Sequence, residues 1–171
     1  MWLLFGIGIM EVDRNVHSYS LVTALGITYD GMQHGVQGIP KTGLVIIMLC
    51  IIFMENNCVS EHVTWQILNS MGLYAGREHV IYGEPRRLIT KHFVQEGYLE
   101  YRQVPCCDPP SHEFLWGPRA HVETTKMKVL NFFPSAVRQN PKSYPFRYAE
   151  AFLDELRRRY ARITPQRILL P

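Results

Sequence analysis

The pattern of apolar and polar positions divides the chain into two short extended runs followed by a series of helices. Residues 3–10 and 18–25 are apolar or alternate between apolar and polar, and the polar stretch 11–15 between them predicts a turn. Together these three segments predict a β-hairpin. Residues 26–43 are dense in glycine, which predicts a connecting loop.

Three helices are predicted after this loop. The segment Leu44–Met54 is apolar on every face, as in a helix at the centre of a core. Ser60 is suited to cap a second helix, because its hydroxyl can accept a backbone N–H, and Gly72 is suited to end that helix. Pro85 predicts the first position of a third helix, and Gly97 predicts its end. The apolar stripe of the second helix, spaced by three and four residues, comprises Val63, Ile67, Leu68 and Met71.

Two strands with a turn-rich loop between them follow the third helix. Residues 98–104 alternate like a strand, 105–111 hold three prolines, and 112–116 form a second strand. Three helices followed by a hairpin is the order of a winged-helix module, in which the hairpin is the wing. Six aromatic residues of this region are predicted to lie mostly in the core: Trp65, Phe93, Tyr98, Tyr101, Phe114 and Trp116.

The last part of the chain predicts two more helices. Residues 120–133 form the first, and we expect it to stop or kink at Pro134, because an interior proline costs about 3 kcal/mol. Residues 145–163 form the second, in which Asp154 and Arg158 are spaced to form an ion pair.

The charge of the chain is unevenly distributed. Of its 171 residues, 47% are apolar, which is enough for the core of one domain or of two very small ones. Residues 1–118 carry a net charge of −4, whereas residues 119–171 carry +7. The basic cluster Arg157–Arg159 with Arg162 is a candidate patch for nuclear import or nucleic acid. We favour the alternative, an exposed helix whose charges are paired or solvated.

The apolar and cysteine-containing segments indicate a reduced, intracellular protein without a membrane span. The apolar residues 1–10 lack the basic flank of a signal peptide, and Leu44–Met54 is far shorter than the roughly 20 residues that cross a bilayer. Cys50 is predicted to be buried, and the adjacent Cys106 and Cys107 are predicted to be free thiols. The cysteines, Cys58 included, do not have the spacing of a metal site.

No motif of an enzyme is found. Seven histidines are present, but none lies in an H-E-x-x-H pattern, and no serine lies in G-x-S-x-G. We therefore expect a non-enzymatic protein with no metal and no cofactor.

Several long strings of residues closely resemble the MAGE (melanoma-antigen) homology domain. They are Met71–His79, Tyr82–Arg86, Val94–Pro105, Glu113–His121 and Lys126–Leu130. The resemblance covers roughly residues 3–155 and implies an α+β, mostly helical fold of two tandem winged helices.

The resemblance also predicts the domain organisation, with the first winged helix incomplete. Residues 1–40 correspond to a remnant hairpin and linker of that first module, and 41–132 correspond to the second winged helix. Residues 133–163 form a C-terminal helical extension, and 164–171 form a tail. The helices that open the family's first module, which carry a dileucine used to bind a ligase, are expected to be missing.

The function implied by the resemblance is that of an adaptor. MAGE domains bind RING-type E3 ubiquitin ligases and help to select their substrates, and many members are tumour-restricted antigens. The expected partner is such a ligase or another nuclear protein, with no membrane and no nucleic acid, in the nucleus or the cytoplasm or both. The alternatives are a nuclear co-regulator that represses RNA polymerase II transcription and a truncated product without stable activity.

The predicted protein interface lies between the second and third helices and at the start of the third. Arg86 and Arg87, with Lys91, could also meet DNA phosphates, but Glu84 and Glu96 flank the same helix. A protein-binding or solvated face is therefore the favoured interpretation. The predicted interface residues are Tyr74, Arg77, His79, Tyr82, Arg86 and Arg87.

Overall fold

The computed structural model describes residues 7–13, 18–23, 25–29, 41–105, 108–136 and 141–163. The predictions for residues 1–6, Cys106, Cys107 and the tail 164–171 lie outside these ranges. Within them, the predicted hairpin is confirmed, with β1 (Ile7–Asp13) antiparallel to β2 (Ser18–Thr23). The predicted turn at 11–15 was placed too early, because β1 continues as far as Asp13.

The first helix, α1 (Thr42–Met54), is the central element that its apolar sequence predicted. Eleven of its thirteen residues are buried, and it ends before Asn56 and Asn57, which both adopt a φ of 68°. Strand β3 (Cys58–Ser60) follows and was not predicted. Three residues are too few to show an alternating pattern, and this strand exists because Val59 pairs with Phe114 of a distant strand.

Helix α2 (Glu61–Ser70) begins at the predicted cap, where the Ser60 hydroxyl accepts the Val63 amide at 3.3 Å. Leu68 of the predicted stripe is fully buried. Met71 was wrongly included in that stripe: the helix has ended at Ser70, and the Met71 side chain is 49% exposed.

The third helix consists of three consecutive segments, α3 (Pro85–Arg87), a π-helical segment (Leu88–His92) and α4 (Phe93–Gln95). Pro85 occupies its first turn as predicted, and Glu84 caps it. The π-helical segment carries Leu88 and Ile89 into the core.

Strands β4 (Leu99–Gln103) and β5 (His112–Trp116) form the predicted wing. They are antiparallel, with Tyr101 opposite Phe114, and the sheet has the order β3-β5-β4. The chain order of a helix, a short strand, two further helices and a hairpin is that of a winged helix, which confirms the α+β prediction.

The predicted helix 120–133 is divided into α5 (Pro118–Glu123) and α6 (Lys126–Ala136). Thr124 has an extended conformation, with φ −130° and ψ 175°, and this residue breaks the helix. Of the stop or kink predicted at Pro134, the stop was wrong, because α6 continues to Ala136. Proline removes only one hydrogen bond so near a helix end, and the fully buried Val129 and Leu130 anchor α6 against α1.

The remaining elements are a 3₁₀ turn (Pro141–Ser143) and α7 (Pro145–Ile163), which packs against α6. The bounds of α7 match the prediction. Of the six aromatics predicted for the core, Phe93, Tyr98, Phe114 and Trp116 are buried, whereas Trp65 and Tyr101 are partly buried. None of the described helices combines the length and hydropathy needed to cross a membrane.

Candidate protein-interaction surface

The predicted interface residues fall mainly in the loop between α2 and the third helix, residues 71–84, which is held in one conformation by its own backbone. His79 and Gly83 exchange two hydrogen bonds, with N···O distances of 2.7 and 2.8 Å. Gly76 and Gly83 have φ values of 76° and 68°, which glycine adopts without strain. The backbone of the loop is therefore held by its own hydrogen bonds, and the side chains project from this fixed backbone.

Glu84 links this loop to the third helix. Its Oε1 accepts the amides of Gly76 at 2.9 Å and Arg86 at 3.0 Å, and its Oε2 accepts the amide of Arg87 at 2.6 Å. Desolvation alone would raise the pKa of Glu84, but these amides favour the carboxylate and hold that pKa below its usual range. The loop and the helix N-terminus are thus fixed to each other by one ionised side chain.

A hollow of about 290 Å³ opens on this loop. We call it the loop hollow, and it is lined by Gly72, Tyr74, Arg77, Glu78, His79 and Val80. Three predicted interface residues therefore meet at one place. The Arg77 guanidinium lies 5.9 Å from the centre of the Tyr74 ring, within the range of a cation–π contact.

The other three predicted interface residues lie apart from the loop hollow. Tyr82 is only 4% exposed and stacks beneath His79 with 5.2 Å between ring centres, so it supports the surface from below. Arg86 lies 3.2 Å from Glu61. Arg87 is exposed on the third helix and does not line the hollow.

The most exposed apolar side chain of this surface, Val80, is not among the predicted interface residues. Val80 is fully solvent-accessible, and the neighbouring Tyr74 and Met71 are 44% and 49% exposed. The sequence does not distinguish Val80 from the other apolar residues of this loop, because Leu73 and Tyr82 are buried and only the structure separates them. Exposed apolar groups on a fixed backbone are typical of protein contacts. Among the described residues, no group of three or more potential metal ligands is found.

A second surface, which we call the α6–α7 groove, was not foreseen. It has a volume of about 610 Å³ and lies where α5, α6 and α7 meet. Val122 and Phe152 at its edge are 84% and 48% exposed. The other lining residues used below are Met127, Lys128, Leu156, Arg158, Arg159 and Arg162. Only the three-dimensional packing of α6 against α7 brings these positions together.

A set of polar side chains at the edge of the α6–α7 groove is joined by hydrogen bonds, and one of them, Glu123, also lines that groove. We call Thr28, Glu96, Tyr98, Arg119 and Glu123 the linker network. The Glu123 carboxylate accepts the Thr28 amide at 2.9 Å, the Thr28 hydroxyl at 2.6 Å, the Tyr98 hydroxyl at 2.6 Å and the Arg119 Nε at 2.8 Å. Arg119 also donates to Glu96 at 2.6 Å and lies 4.7 Å over the Tyr98 ring.

The linker network fixes residues 25–29 onto the winged helix. Desolvation would raise the pKa of Glu123, but the hydrogen bonds from Thr28, Tyr98 and Arg119 outweigh it and lower that pKa to about 2. Leu25 and Ile27, on either side of Gly26, are buried. The network therefore stabilises the docking of this segment.

Comparison with known proteins decides the family. The profile of the MAGE homology domain matches residues 10–127. The chain belongs to the MAGE family. It is 57% identical over 155 residues to human melanoma-associated antigen 11 and 55% identical over 163 residues to human melanoma-associated antigen 10. These alignments cover 91% and 95% of this chain but only 36% and 44% of the two antigens, so the chain spans less than half of each.

The MAGE fold is also found among solved structures. A chain of the Nse1-Nse3-Nse4 complex superimposes with a TM-score of 0.64 and is 38% identical in sequence. The match covers 86% of this chain and 72% of that one. The resemblance inferred from the strings between Met71 and Leu130 is therefore confirmed, together with the winged-helix fold.

Proposed function

We propose that this MAGE domain is a non-enzymatic adaptor that binds proteins, and that its partner is a RING-type E3 ubiquitin ligase. The observation that carries the proposal is the loop hollow, in which Val80 and Tyr74 are exposed on a backbone closed by His79 and Gly83. The solved relative supports it, since that chain belongs to a complex of several proteins. We propose nucleus or cytoplasm, or both, as the place of action.

Binding at the loop hollow would depend on shape and apolar contact. A fixed loop loses little conformational entropy when a partner binds, so more of the contact energy remains as affinity. Tyr74 and Arg77 are residue types that are enriched among the energetically dominant positions of protein interfaces. Arg86 and Arg87 would contribute at the edge of this contact.

The chemistry of Cys58, a partly exposed thiol among the described residues, supports the non-enzymatic part of the proposal. Cys58 donates to Glu113 at 2.7 Å, and its pKa is raised to about 11 by desolvation and by that carboxylate. A thiol held protonated at neutral pH is a poor nucleophile. We assign this cysteine a structural hydrogen bond beside the Arg102–Glu113 ion pair.

The proposed organisation assigns the second winged helix to residues 41–132 and a helical extension to 133–163. The chain would then carry the family's second module and the surfaces on it. Cooperative thermal unfolding of the purified chain, followed by circular dichroism, is the expected result. A broad, non-cooperative loss of signal would favour the alternative of a product without stable activity.

A second candidate function, transcriptional co-regulation through DNA, rests on cations around the third helix. Desolvation is the largest cause that lowers the pKa of His92. The nearby positive charges of Arg87, Lys41 and Lys91 lower it further. Steeply salt-dependent binding to duplex DNA, lost on changing Arg86 and Arg87 to Ala, would support this function. Binding that does not change with salt would count against it.

The adaptor proposal is tested by measuring the affinity of the purified chain for a panel of RING-type ligases by biolayer interferometry. We expect at least one ligase to bind, and we expect Val80→Asp combined with Tyr74→Ala to weaken that binding at least tenfold. Phe146→Asp is the matched control, because this apolar side chain is 88% exposed but lines neither the loop hollow nor the α6–α7 groove. No binding to any ligase would contradict the proposal.

A further inference from the structure

The α6–α7 groove combines an apolar floor with a basic rim. Met127 of α6 and Leu156 of α7 line it, and Val122 and Phe152 expose apolar surface at its edge. Its volume of about 610 Å³ lies in the range of natural binding clefts. This surface shares no lining residue with the loop hollow.

The cations of the rim are not neutralised within the described part of the chain. There, Lys128 and Arg162 have no acidic side chain within salt-bridge distance. Arg159 is 69% exposed and lies 3.7 Å from Glu155, which is a weak contact. Arg158 differs from them, because it is bound to Asp154 at 2.9 Å and to the His121 carbonyl at 2.8 Å.

The acidic groups of the groove do not balance this charge. Glu123 is occupied by Thr28, Tyr98 and Arg119 of the linker network, so its negative charge is already engaged. Among the residues that the structure describes, the ion pair of Glu155 is the long contact to Arg159. A ligand in the groove therefore meets a net positive rim around apolar side chains.

We propose that the α6–α7 groove binds an acidic amphipathic helix of a partner protein. Its apolar side chains would pack against Val122, Met127 and Phe152, and its carboxylates would face Lys128, Arg159 and Arg162. Amphipathic helices commonly bind apolar grooves through residues spaced by three and four. Helix α6 has eleven residues, or about 16 Å of length, which suits a partner of about three turns. This site is additional to the ligase contact proposed for the loop hollow.

The probe is a fluorescein-labelled designed peptide of fourteen residues, with Leu on one helical face and Glu on the other. Two control peptides carry Lys in place of Glu, or Ser in place of Leu. Fluorescence anisotropy with the full chain is expected to show binding of the acidic peptide at least tenfold tighter than of either control. We also expect the dissociation constant to rise severalfold as salt is increased, because the rim charges are exposed.

Charge reversal on the protein provides the decisive variant. Lys128→Glu combined with Arg162→Glu changes two exposed side chains, so the fold should be retained. The double variant is expected to bind the acidic peptide at least tenfold more weakly and to bind the basic peptide more tightly. Arg157→Glu is the matched control, since Arg157 is exposed on α7 and does not line the groove. Equal binding of acidic and basic peptides, or no effect of the double variant, would overturn the proposal.

Two other occupants would give different results. If a second copy of the chain fills the groove, light scattering will show a dimer that the double variant dissociates. If the chain's own residues 164–171 fill it, the acidic peptide will bind only after their removal. Either result would overturn the assignment to a partner helix.

Discussion

The linker network and the loop 71–84 differ in how far their side chains are buried and hydrogen-bonded within the domain. In the network, Glu123 accepts four hydrogen bonds and the adjacent Tyr98 is fully buried. In the loop, the backbone is closed by its own hydrogen bonds, yet Val80 is fully exposed. One region thus satisfies its groups internally, and the other leaves apolar area for a partner.

Under the proposed function, stability and binding would depend on separate parts of the domain. A partly buried carboxylate with four hydrogen bonds is costly to disturb, because its loss leaves several donors unsatisfied. An exposed valine makes few intramolecular contacts, so its replacement should change recognition and leave folding intact. Substitutions in the two regions should therefore have opposite consequences.

The largest effect is expected from Gly117→Ala, next to the linker network. A Cβ atom at this position would lie 2.2 Å from the Gly97 carbonyl oxygen and 2.8 Å from the carbonyl carbon of Tyr98. Both are backbone atoms, so the strand and the turn would have to move. We expect the free energy of unfolding to fall by about 3 kcal/mol or more in urea denaturation. A loss below 1 kcal/mol would show that this region is less rigid than its contacts indicate.

Glu123→Gln tests the network through pH. The folded carboxyl has a pKa of about 2 against an ordinary value of 4.5, so its stabilisation is complete above pH 4.5 and is lost as pH falls towards 2. Because the group is partly exposed, we expect a difference in unfolding free energy of about 2 kcal/mol at pH 7. That difference should vanish near pH 2, as measured by denaturation across this range. A difference independent of pH would contradict the assigned charge.

Gly76→Ala tests how tightly the loop 71–84 is packed, compared with the region around Gly117. Gly76 has a φ of 76°, but nothing lies within 4 Å of the position of an added Cβ. The cost is therefore only that of placing a side chain in the left-handed region, about 1 kcal/mol. A melting temperature that falls as far as that of Gly117→Ala would mean that the loop is as tightly packed as the network.

The smallest effect on stability is expected from Val80→Asp. The valine is fully exposed, so its replacement should change the unfolding free energy by no more than about 0.5 kcal/mol. Binding of a RING-type ligase should nevertheless fall at least tenfold, measured on the same sample. Loss of both stability and binding would mean that the two properties are coupled.

Much of the fold could be predicted from local sequence signals. The apolar run that became α1, the Ser60 cap, Pro85 at the start of the third helix and the bounds of α7 all express preferences of a few neighbouring residues. Strand β3 could not be predicted, because its pairing partner β5 lies more than fifty residues away. The break at Thr124 had a local signal that was missed, because threonine favours the N-cap and the Thr125 hydroxyl accepts the Lys128 amide at 3.2 Å at the start of α6.

The candidate sites were harder to predict than the fold. Tyr74, Arg77 and His79 line the same hollow, because they are close in sequence and lie in one loop, and their role in an interface stays a prediction. Tyr82 has the same sequence context but is buried, and burial depends on the packing of distant elements. The α6–α7 groove and the contact of Thr28 with Glu123 join residues far apart in the chain, so no local pattern indicates them.

Hydrogen–deuterium exchange of the chain with and without a bound RING-type ligase tests the central claim most directly. We expect slower exchange in the ligase complex across residues 71–84. We expect no change in the amides of Tyr98 and Gly117, which are already hydrogen-bonded within the domain. Protection confined to other segments, with loop 71–84 unchanged in the complex, would contradict it.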